Sequence, residues 1–511
     1  MVFYPKARQP RLSINHPTVR PIRLAVLKAA TINLFLLQIL FLGLFCYLFG
    51  SLFQQTTHIH NINILYVDYD GGAIGTAVLD AYQELKGPGF PTLIARSTQE
   101  YPEPALTVEA VCNIDYWAAL YASPNASNHL LSALGGGSAA ASYNSSDVLT
   151  MVWNEARYPT VVDSAVSQSL TTLSEAARVA YFKEGGKQLI QTLNSSDPAA
   201  IAIFADPWNL DSIDIQTTKQ GSRLIYNTLV VILILIQEFF YLGLINGLYL
   251  QFNLYTAVSP NRIVVVRQII SLLYTLAGSL STAGAIWAFR FGWHVNGNQF
   301  ALNWLIFWLF AHLNFLVLDV FTIWLPPPYI PMVFISWIVL NVTSILLPFE
   351  LSPGFYKVGY ALPAHSLFQV MIDIWSGGCN PQLNYALPVM FAYEVVSLVL
   401  SSIGVYRRAH LATIKQEADE KALQERIAAA VAEKQENLQP NEESRPDALD
   451  GETPVSEPEQ RATVQRRATF TSMEDQEKMC DIIRRELSRP AERADTSRSN
   501  NGPSFYLPYK E

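Results

Sequence analysis

Four ionisable side chains stand inside long apolar runs of this chain: Glu238, His312, Asp319 and Glu394. A charge near the middle of a bilayer costs about 2.5–3.5 kcal/mol even on lenient insertion scales. A chain keeps such groups where they face protein or water. Two arrangements satisfy that. One is a polar cavity that carries substrate or protons. The other is mutual pairing, for instance His312 with a carboxylate, together with carboxylates held protonated. His312 and Asp319 are seven residues apart and share one helix face. Asp319 is also near the end of its run, within reach of an aqueous interface.

Little else in the chain has the spacing of a catalytic or metal centre. The four cysteines, Cys46, Cys112, Cys379 and Cys480, form no CxxC or Cys/His metal pattern. Gly71-Gly72-x-x-Gly75 follows a strand pattern but lacks both the dinucleotide spacing and the Gly-Lys-Ser/Thr ending, so it reads as a turn. There is no Walker sequence and no nucleophile elbow. The expectation is a protein that is not an enzyme, with no cofactor, no metal and no nucleic-acid partner. Asn125, Asn144 and Asn194 open glycosylation tripeptides, and a fourth, at Asn341, falls inside an apolar run where it should stay unused. Arg466-Arg467-Ala468-Thr469 reads either as a kinase target at Thr469 or as a solvated basic run.

The elements that position these residues begin with 29–53, an uncharged run of about 25 residues, where a bilayer core needs roughly 20. Lys6, Arg8, Arg11, Arg20, Arg23 and Lys28 precede it, and no acidic residue occurs before Asp68. Positive flanks stay cytosolic. The run is too long for a cleaved secretory signal, and no small-x-small site follows it. Further spans are expected at 224–248, 264–289, 301–325, 331–349 and 385–405, six in all. Arg262, Arg267, Arg407 and Arg408 then fall on the cytosolic side with both termini. Gly243-x-x-x-Gly247 and the small residues at 277–285 permit close helix approach, either within one subunit or at a homodimer seam.

Between the first two spans, 54–222 alternates strand and helix patterns and predicts an α/β domain on the lumenal or extracellular side. Its helical pattern at 160–193 meets Gly185-Gly186, a candidate break. Cys112 and Cys379 then share the oxidising side, where a bridge between them would persist. The stretch 350–384 mixes apolar runs with Pro353, Gly354, Gly359 and Pro363 and predicts interfacial or re-entrant half-helices. The tail 406–511 is polar. It carries a charged, Ala-rich helical stretch at 414–435, a disordered acidic stretch at 440–460 and an amphipathic stretch at 475–487. The net charge of −8 therefore says little, because basic and acidic residues are segregated along the chain.

The order of one helix, LYVDYDGGAIGTAVLDAYQEL, VEAVCNIDYWAALYASPNASNHLLSAL, and five spans with ALPAHSLFQVMIDIWSGG before the last resembles the fungal nitrosoguanidine-resistance membrane proteins over roughly 29–410. More distantly it is similar to membrane subunits of ATP-binding-cassette exporters that carry an external domain between helices one and two. The resemblance implies resistance to toxic small compounds, by export or by lipid movement. Dimers and a separate ATPase partner are what the distant relatives use, and this chain has no ATPase motif of its own. A non-transporting scaffold acting through the external domain and tail is the alternative. The bilayer is the first partner. The plasma membrane is the expected location, with the endoplasmic reticulum as the alternative.

Overall fold

The computed structural model describes residues 15–218, 228–290 and 294–438, together with positions 13, 480 and 484. The first helix, α1 (Val19–Ser51), starts ten residues before its apolar run and is 33 residues long. Its side chains are almost all exposed, as suits a helix whose solvent is lipid.

A five-stranded sheet follows, in the order β2-β1-β3-β4-β5. Strand β1 (Asn63–Asp68) is parallel to β2 (Thr92–Arg96) and to β3 (Ala118–Ala122). Strand β4 (Leu149–Trp153) runs antiparallel to β3, and β5 (Leu210–Asp214) is parallel to β4. The run Ile64–Val67 is fully buried, which is why the strand is apolar on both faces. The helices α2 (Ala73–Leu85), α3 (Pro104–Cys112), α4 (Ala126–Leu134) and the short α5 (Ser138–Ser142) connect or flank these strands. Leu65, Val67, Ala110, Val111, Ala119 and Val152 form one core cluster. At the Gly71-Gly72 turn, Gly71 has φ +60° and the Asp68 carboxylate receives the N–H groups of Asp70 and Gly71, both at 3.0 Å. The glycines there make a turn, as their spacing indicates.

After a short α6 (Pro159–Val162) and a π-helical turn, α7 (Gln168–Thr192) packs on α2. It runs unbroken through Gly185-Gly186, contrary to the expected break. Two glycines cost about 1 kcal/mol each in a helix. Leu189, buried one turn beyond, anchors the last turns against that cost. The helix α8 (Pro198–Ala205) starts on Asp197, whose carboxylate accepts the N–H of Ala199 at 2.9 Å and that of Gly137 at 2.7 Å. Those backbone donors hold the Asp197 carboxyl below the usual carboxylate range.

Among the described residues there follow α9 (Thr228–Gln251), the one-turn α10 (Leu254–Ala257), α11 (Pro260–Phe289), α12 (Gly297–Trp324), α13 (Ile330–Thr343), α14 (Pro363–Trp375) and α15 (Leu383–Leu438). Among the described residues five helices, α1, α9, α11, α12 and α15, are long and apolar enough to cross a bilayer. With a helix-rich chain of this apolarity, the protein is an integral membrane protein. The expected fifth span at 331–349 is a shorter apolar helix, Pro327–Thr343, whose α-helical part is the 14-residue α13. The last span and the tail stretch expected at 414–435 are one continuous helix of 56 residues.

Within the described residues, contacts gather the chain into two compact units. The first takes in the chain up to Gly243, Gln268–Phe321 and Pro328–Ser401. In it, the stretch after α13 folds as a 3₁₀ segment (Gly354–Ala361) followed by α14, which is buried over most of its length. Pro363 opens α14 without an N–H to satisfy, and the Asn341 side-chain oxygen Oδ1 accepts the next free donor, the N–H of Ala364, at 3.2 Å. The same stretch closes the end of α1: Tyr356 donates to the Tyr47 carbonyl at 2.8 Å and Ser352 to the Ser51 carbonyl at 3.1 Å.

The second unit comprises Leu244–Arg267, Thr322–Pro327 and the chain from Ser402. Three of its arginines are held by neighbouring polar or aromatic groups. Arg267, 1% exposed, donates to Asn246 at 2.7 Å and stands 5.5 Å from the Tyr249 ring centre. Arg408 donates to Thr322 at 2.6 Å, and Arg407 donates to the Ile323 carbonyl.

Candidate functional site

In the first unit, α11, α12, α14 and the start of α15 enclose a cleft of about 660 Å³. That is the size of a small-molecule site. Local chemistry fixes its walls. Asn296 and Gln299 cap the start of α12 reciprocally, at 2.8 and 3.0 Å. The Gln299 amide also donates to the carbonyls of Ile374 and Trp375, at 2.8 and 3.1 Å, and so satisfies the end of α14. The indole N–H groups of Trp304 and Trp308 donate to the Leu276 and Leu272 carbonyls, tying α12 to α11.

The polar groups of the cleft are few. His312 Nδ1 lies 2.6 Å from Glu394 Oε1, and His312 Nε2 lies 3.2 Å from the Ser271 hydroxyl. Both ring nitrogens are thereby engaged and the imidazole is fixed in orientation. The Glu394 side chain is 18% exposed and lines the cleft, while its Oε2 is itself buried. Asp373 of α14 is the third ionisable group of the lining. Its Oδ1 accepts the N–H of Asn380 at 3.2 Å. The remaining wall is hydrocarbon, chiefly Leu302, Leu305, Leu309, Leu387 and Phe391.

The edge of the cleft is tied to the sheet domain. Gly377 and Gly378 line it, both with φ in the left-handed region, +67° and +102°. The next residue, Cys379, is bonded to Cys112 at the end of α3, across 267 residues of chain, with the Cα atoms 4.1 Å apart. The Asn154 amide donates to the Cys379 carbonyl at 3.4 Å, and the Tyr158 ring meets Phe368 of α14 edge-on at 4.8 Å. Nearby, Arg157 is buried with its guanidinium 4.1 Å from the Trp117 ring centre, and burial lowers its pKa to about 10.

Of the four intramembrane residues singled out by type, the fold brings His312 and Glu394 together at the cleft. Asp319 lies farther along α12, fully buried, and accepts a hydrogen bond from Ser401 at 2.5 Å. Glu238 on α9 is fully buried, does not line the cleft, and neither of its oxygens has a hydrogen-bond partner among the described residues. Asn125, Asn144 and Asn194 are all exposed on the sheet domain. Asn341 is fully buried, its amide donating to the Trp337 carbonyl at 2.9 Å. The small stretch at 277–285 is used inside the chain: a Cβ on Gly278 would lie 2.9 Å from Gln237 and Tyr241 of α9. Thr469, and the tail stretches at 440–460 and 475–487, lie outside the described residues apart from positions 480 and 484.

Asp373, Ser271 and Gln299 escaped the reading by residue type. Asp373 lies in the stretch expected to be interfacial, where an acid is unremarked, and Ser271 and Gln299 are uncharged. Only the packing of α11, α12 and α14 gives them a role. Among the described residues no group of three His, Cys, Asp or Glu side chains gathers as a metal site.

An apolar cleft with a fixed histidine–carboxylate pair, set among membrane helices and braced by an α/β sheet domain, defines the class: a multi-pass helical membrane protein with an embedded ligand-sized site. The family model described as "Protein of unknown function (DUF3533)" matches residues 33–399, from α1 to the cleft-lining part of α15, and the chain belongs to that family. It is similar to an uncharacterized endoplasmic reticulum membrane protein of Saccharomyces cerevisiae, 22% identical over 376 residues, which are 66% of this chain and 71% of the yeast protein. No solved structure matches the chain.

Proposed function

We propose that this protein binds an amphiphilic molecule in the cleft of α11, α12, α14 and α15 and transfers it within or across its membrane. It acts as a non-enzymatic carrier of lipid or of lipophilic toxic compounds. The observation that carries this reading is the His312–Glu394 pair, which lines a cleft of ligand size instead of being sealed in a packed core. The resemblance to nitrosoguanidine-resistance proteins and, at a distance, to exporter membrane subunits supports resistance as the outcome. It also supports a separate ATPase partner as the energy source. The yeast relative's name locates that protein in the endoplasmic reticulum membrane, and we extend this to the present chain in preference to the plasma membrane. The distribution of Arg262, Arg267, Arg407 and Arg408 supports cytosolic termini, with the sheet domain, its three exposed sequons and the Cys112–Cys379 bond on the lumenal side.

The test uses cells lacking the protein and re-expressing wild type, Leu305→Trp, which fills the cleft, or Glu238→Gln, which leaves it open. Rates of efflux of a labelled toxic compound and of transbilayer movement of a labelled lipid are compared. Loss of either rate with Leu305→Trp, at equal protein level, supports the carrier. Resistance restored by Leu305→Trp with neither rate changed supports a scaffold. One observation favours that second reading: α15 continues as a charged helix to Leu438, a surface suited to a protein partner.

A further inference from the structure

Another face of α14 lines a second cavity, of about 40 Å³, shared with the loop after β4 and the stretch that follows α13. It has room for about three waters or one tetrahedral oxyanion. Its wall is mainly polar where that of the cleft is hydrocarbon. Arg157 is its fixed charge: 8% exposed, and a cation at neutral pH even with its pKa lowered to about 10. Trp117 covers the face of the guanidinium, with its ring centre 4.1 Å away. The edge is left open. Within the chain only Nη1 donates, to the Tyr116 carbonyl at 3.4 Å, and no carboxylate pairs with Arg157 among the described residues. Nε and Nη2 donate to no described group, yet neither is sealed off, and Arg157 lines the cavity. A buried cation with idle N–H groups is costly, and an oxyanion that accepts two of them in plane removes that cost.

Two amides of the lining add donors. Gln369 Oε1 accepts the Asn380 amide at 3.0 Å, and Gln382 Oε1 accepts the Tyr385 hydroxyl at 2.8 Å. With each oxygen engaged, the NH₂ is the end left over. Glu350 has the opposite character. It lines the same cavity, and among the described residues neither of its side-chain oxygens accepts a hydrogen bond. The cavity therefore presents donors for an oxyanion and, beside them, an acceptor for an N–H or O–H group.

The surroundings select the source of such a ligand. Tyr360 belongs both to the lining and to the 3₁₀ segment Gly354–Ala361, which exposes Phe355, Val358 and Tyr360. Exposed aromatic side chains just past an apolar membrane helix suit the headgroup layer of a bilayer. Oxyanions joined to N–H or O–H groups are abundant there as phospholipid heads.

We propose that this cavity holds the head of a membrane phospholipid, with its phosphate on Arg157, its amine or hydroxyl substituent toward Glu350, and its acyl chains left in the bilayer. Ethanolamine, serine and glycerol heads carry such a donor; choline does not. The site is separate from the cleft, to which α14 contributes other residues, Val370, Asp373 and Ile374.

Full-length protein, washed free of lipid in detergent, is titrated with dioctanoyl phosphatidylethanolamine, phosphatidylglycerol and phosphatidylcholine, with dioctanoylglycerol, and with soluble phosphoethanolamine and inorganic phosphate. Wild type should bind the first two at least about tenfold more tightly than dioctanoylglycerol, the effect of one charge-assisted contact. Arg157→Lys should remove most of that ratio, because a lysine offers a point charge where the arginine offers a fork. Glu350→Ala should erase the preference for phosphatidylethanolamine over phosphatidylcholine and leave phosphatidylcholine binding as it was. This variant, with Gln382→Ala, decides the matter if Arg157→Lys does not fold. Leu305→Trp, in the cleft, should change none of these affinities. Phospholipids that bind no more tightly than dioctanoylglycerol overturn the proposal and leave the cavity to water. Phosphoethanolamine or inorganic phosphate binding as tightly as the lipids assigns the cavity to a soluble anion and overturns the membrane source. Head-dependent binding lost in Leu305→Trp but kept in Arg157→Lys belongs to the cleft and overturns this site.

Discussion

His312 and Glu394 meet at 2.6 Å although 82 residues of chain separate them. They come from α12 and α15, and their contact closes one side of the cleft with two groups that neither helix could keep alone in hydrocarbon. Ser271 engages the second ring nitrogen, and the other Glu394 oxygen, Oε2, is buried without a hydrogen-bond partner.

Removing one member strands the other. His312→Ala is expected to destabilise the membrane part by about 2–3 kcal/mol, somewhat less than for a sealed pair because Glu394 keeps 18% exposure. The double variant His312→Ala/Glu394→Gln should recover part of that loss. Thermal unfolding of the four proteins in detergent measures the coupling, and additive losses would show that the contact contributes nothing.

The bond between Cys112 and Cys379 joins the sheet domain to the loop that edges the cleft. Cys112→Ser should cost about 2–4 kcal/mol and lower ligand affinity in the cleft without changing residues that line it. Differential scanning fluorimetry of the variant, beside ligand titration, checks both. Wild-type protein on non-reducing gels after thiol blocking should show only Cys46 and Cys480 labelled.

Glycosylation reports orientation. Asn125→Gln, Asn144→Gln and Asn194→Gln should each remove one glycan step on a gel, whereas Asn341→Gln changes nothing, since Asn341 is fully buried. A protein with no glycan at any of the three would place the sheet domain on the cytosolic face and reverse the proposed topology.

The sheet domain should loosen as pH rises. Asp214 at the end of β5 accepts the N–H groups of Glu155 at 3.0 Å and Gln216 at 3.2 Å, yet burial, with the Glu155 carboxylate beside it, pushes its pKa from 3.8 up to about 7. A raised folded-state pKa means the folded form binds the proton more tightly than the unfolded one. The stabilisation is full below about pH 4 and is lost as pH climbs through about 7. We expect a decline of about 1–2 kcal/mol between pH 5 and 8, discounted for partial solvent contact, and its absence in Asp214→Asn. Hydrogen exchange of β4 and β5 across that range is the measurement.

How far the sequence carries is clearest at particular residues. The apolar run Ile64–Val67 with its Asp-Gly turn, and the spacing of Leu170, Leu173, Ala177 and Tyr181 on α7, identify their elements because the signal is local and periodic. Gly185-Gly186 misleads for the converse reason: propensity is a small cost that Leu189, packed from a distance, outweighs. The stretch at 331–349 has the apolarity of a span, but α13 stops at Thr343, and only the packing of the following 3₁₀ segment shows that the backbone turns there. At the candidate site, His312 and Glu394 stand out by type in an apolar setting. Their partnership, the orphaned Oε2 and the share taken by Asp373 and Ser271 are facts of tertiary contact, and no spacing along the chain encodes them.

The Cys112–Cys379 bond also bears on how a chain of this kind is proofread. Cys112 is synthesised 267 residues ahead of its partner, and in the proposed topology four crossings, by α9, α11, α12 and the shorter apolar helix that contains α13, lie in between. A chain that inserts one of those helices the wrong way round delivers Cys379 to the opposite face, where no thiol can reach it. In the proposed topology the unpaired Cys112 is then left in the oxidising compartment as a chemical tag of failed insertion. A single covalent link thus reads out the parity of every membrane crossing made between its two ends.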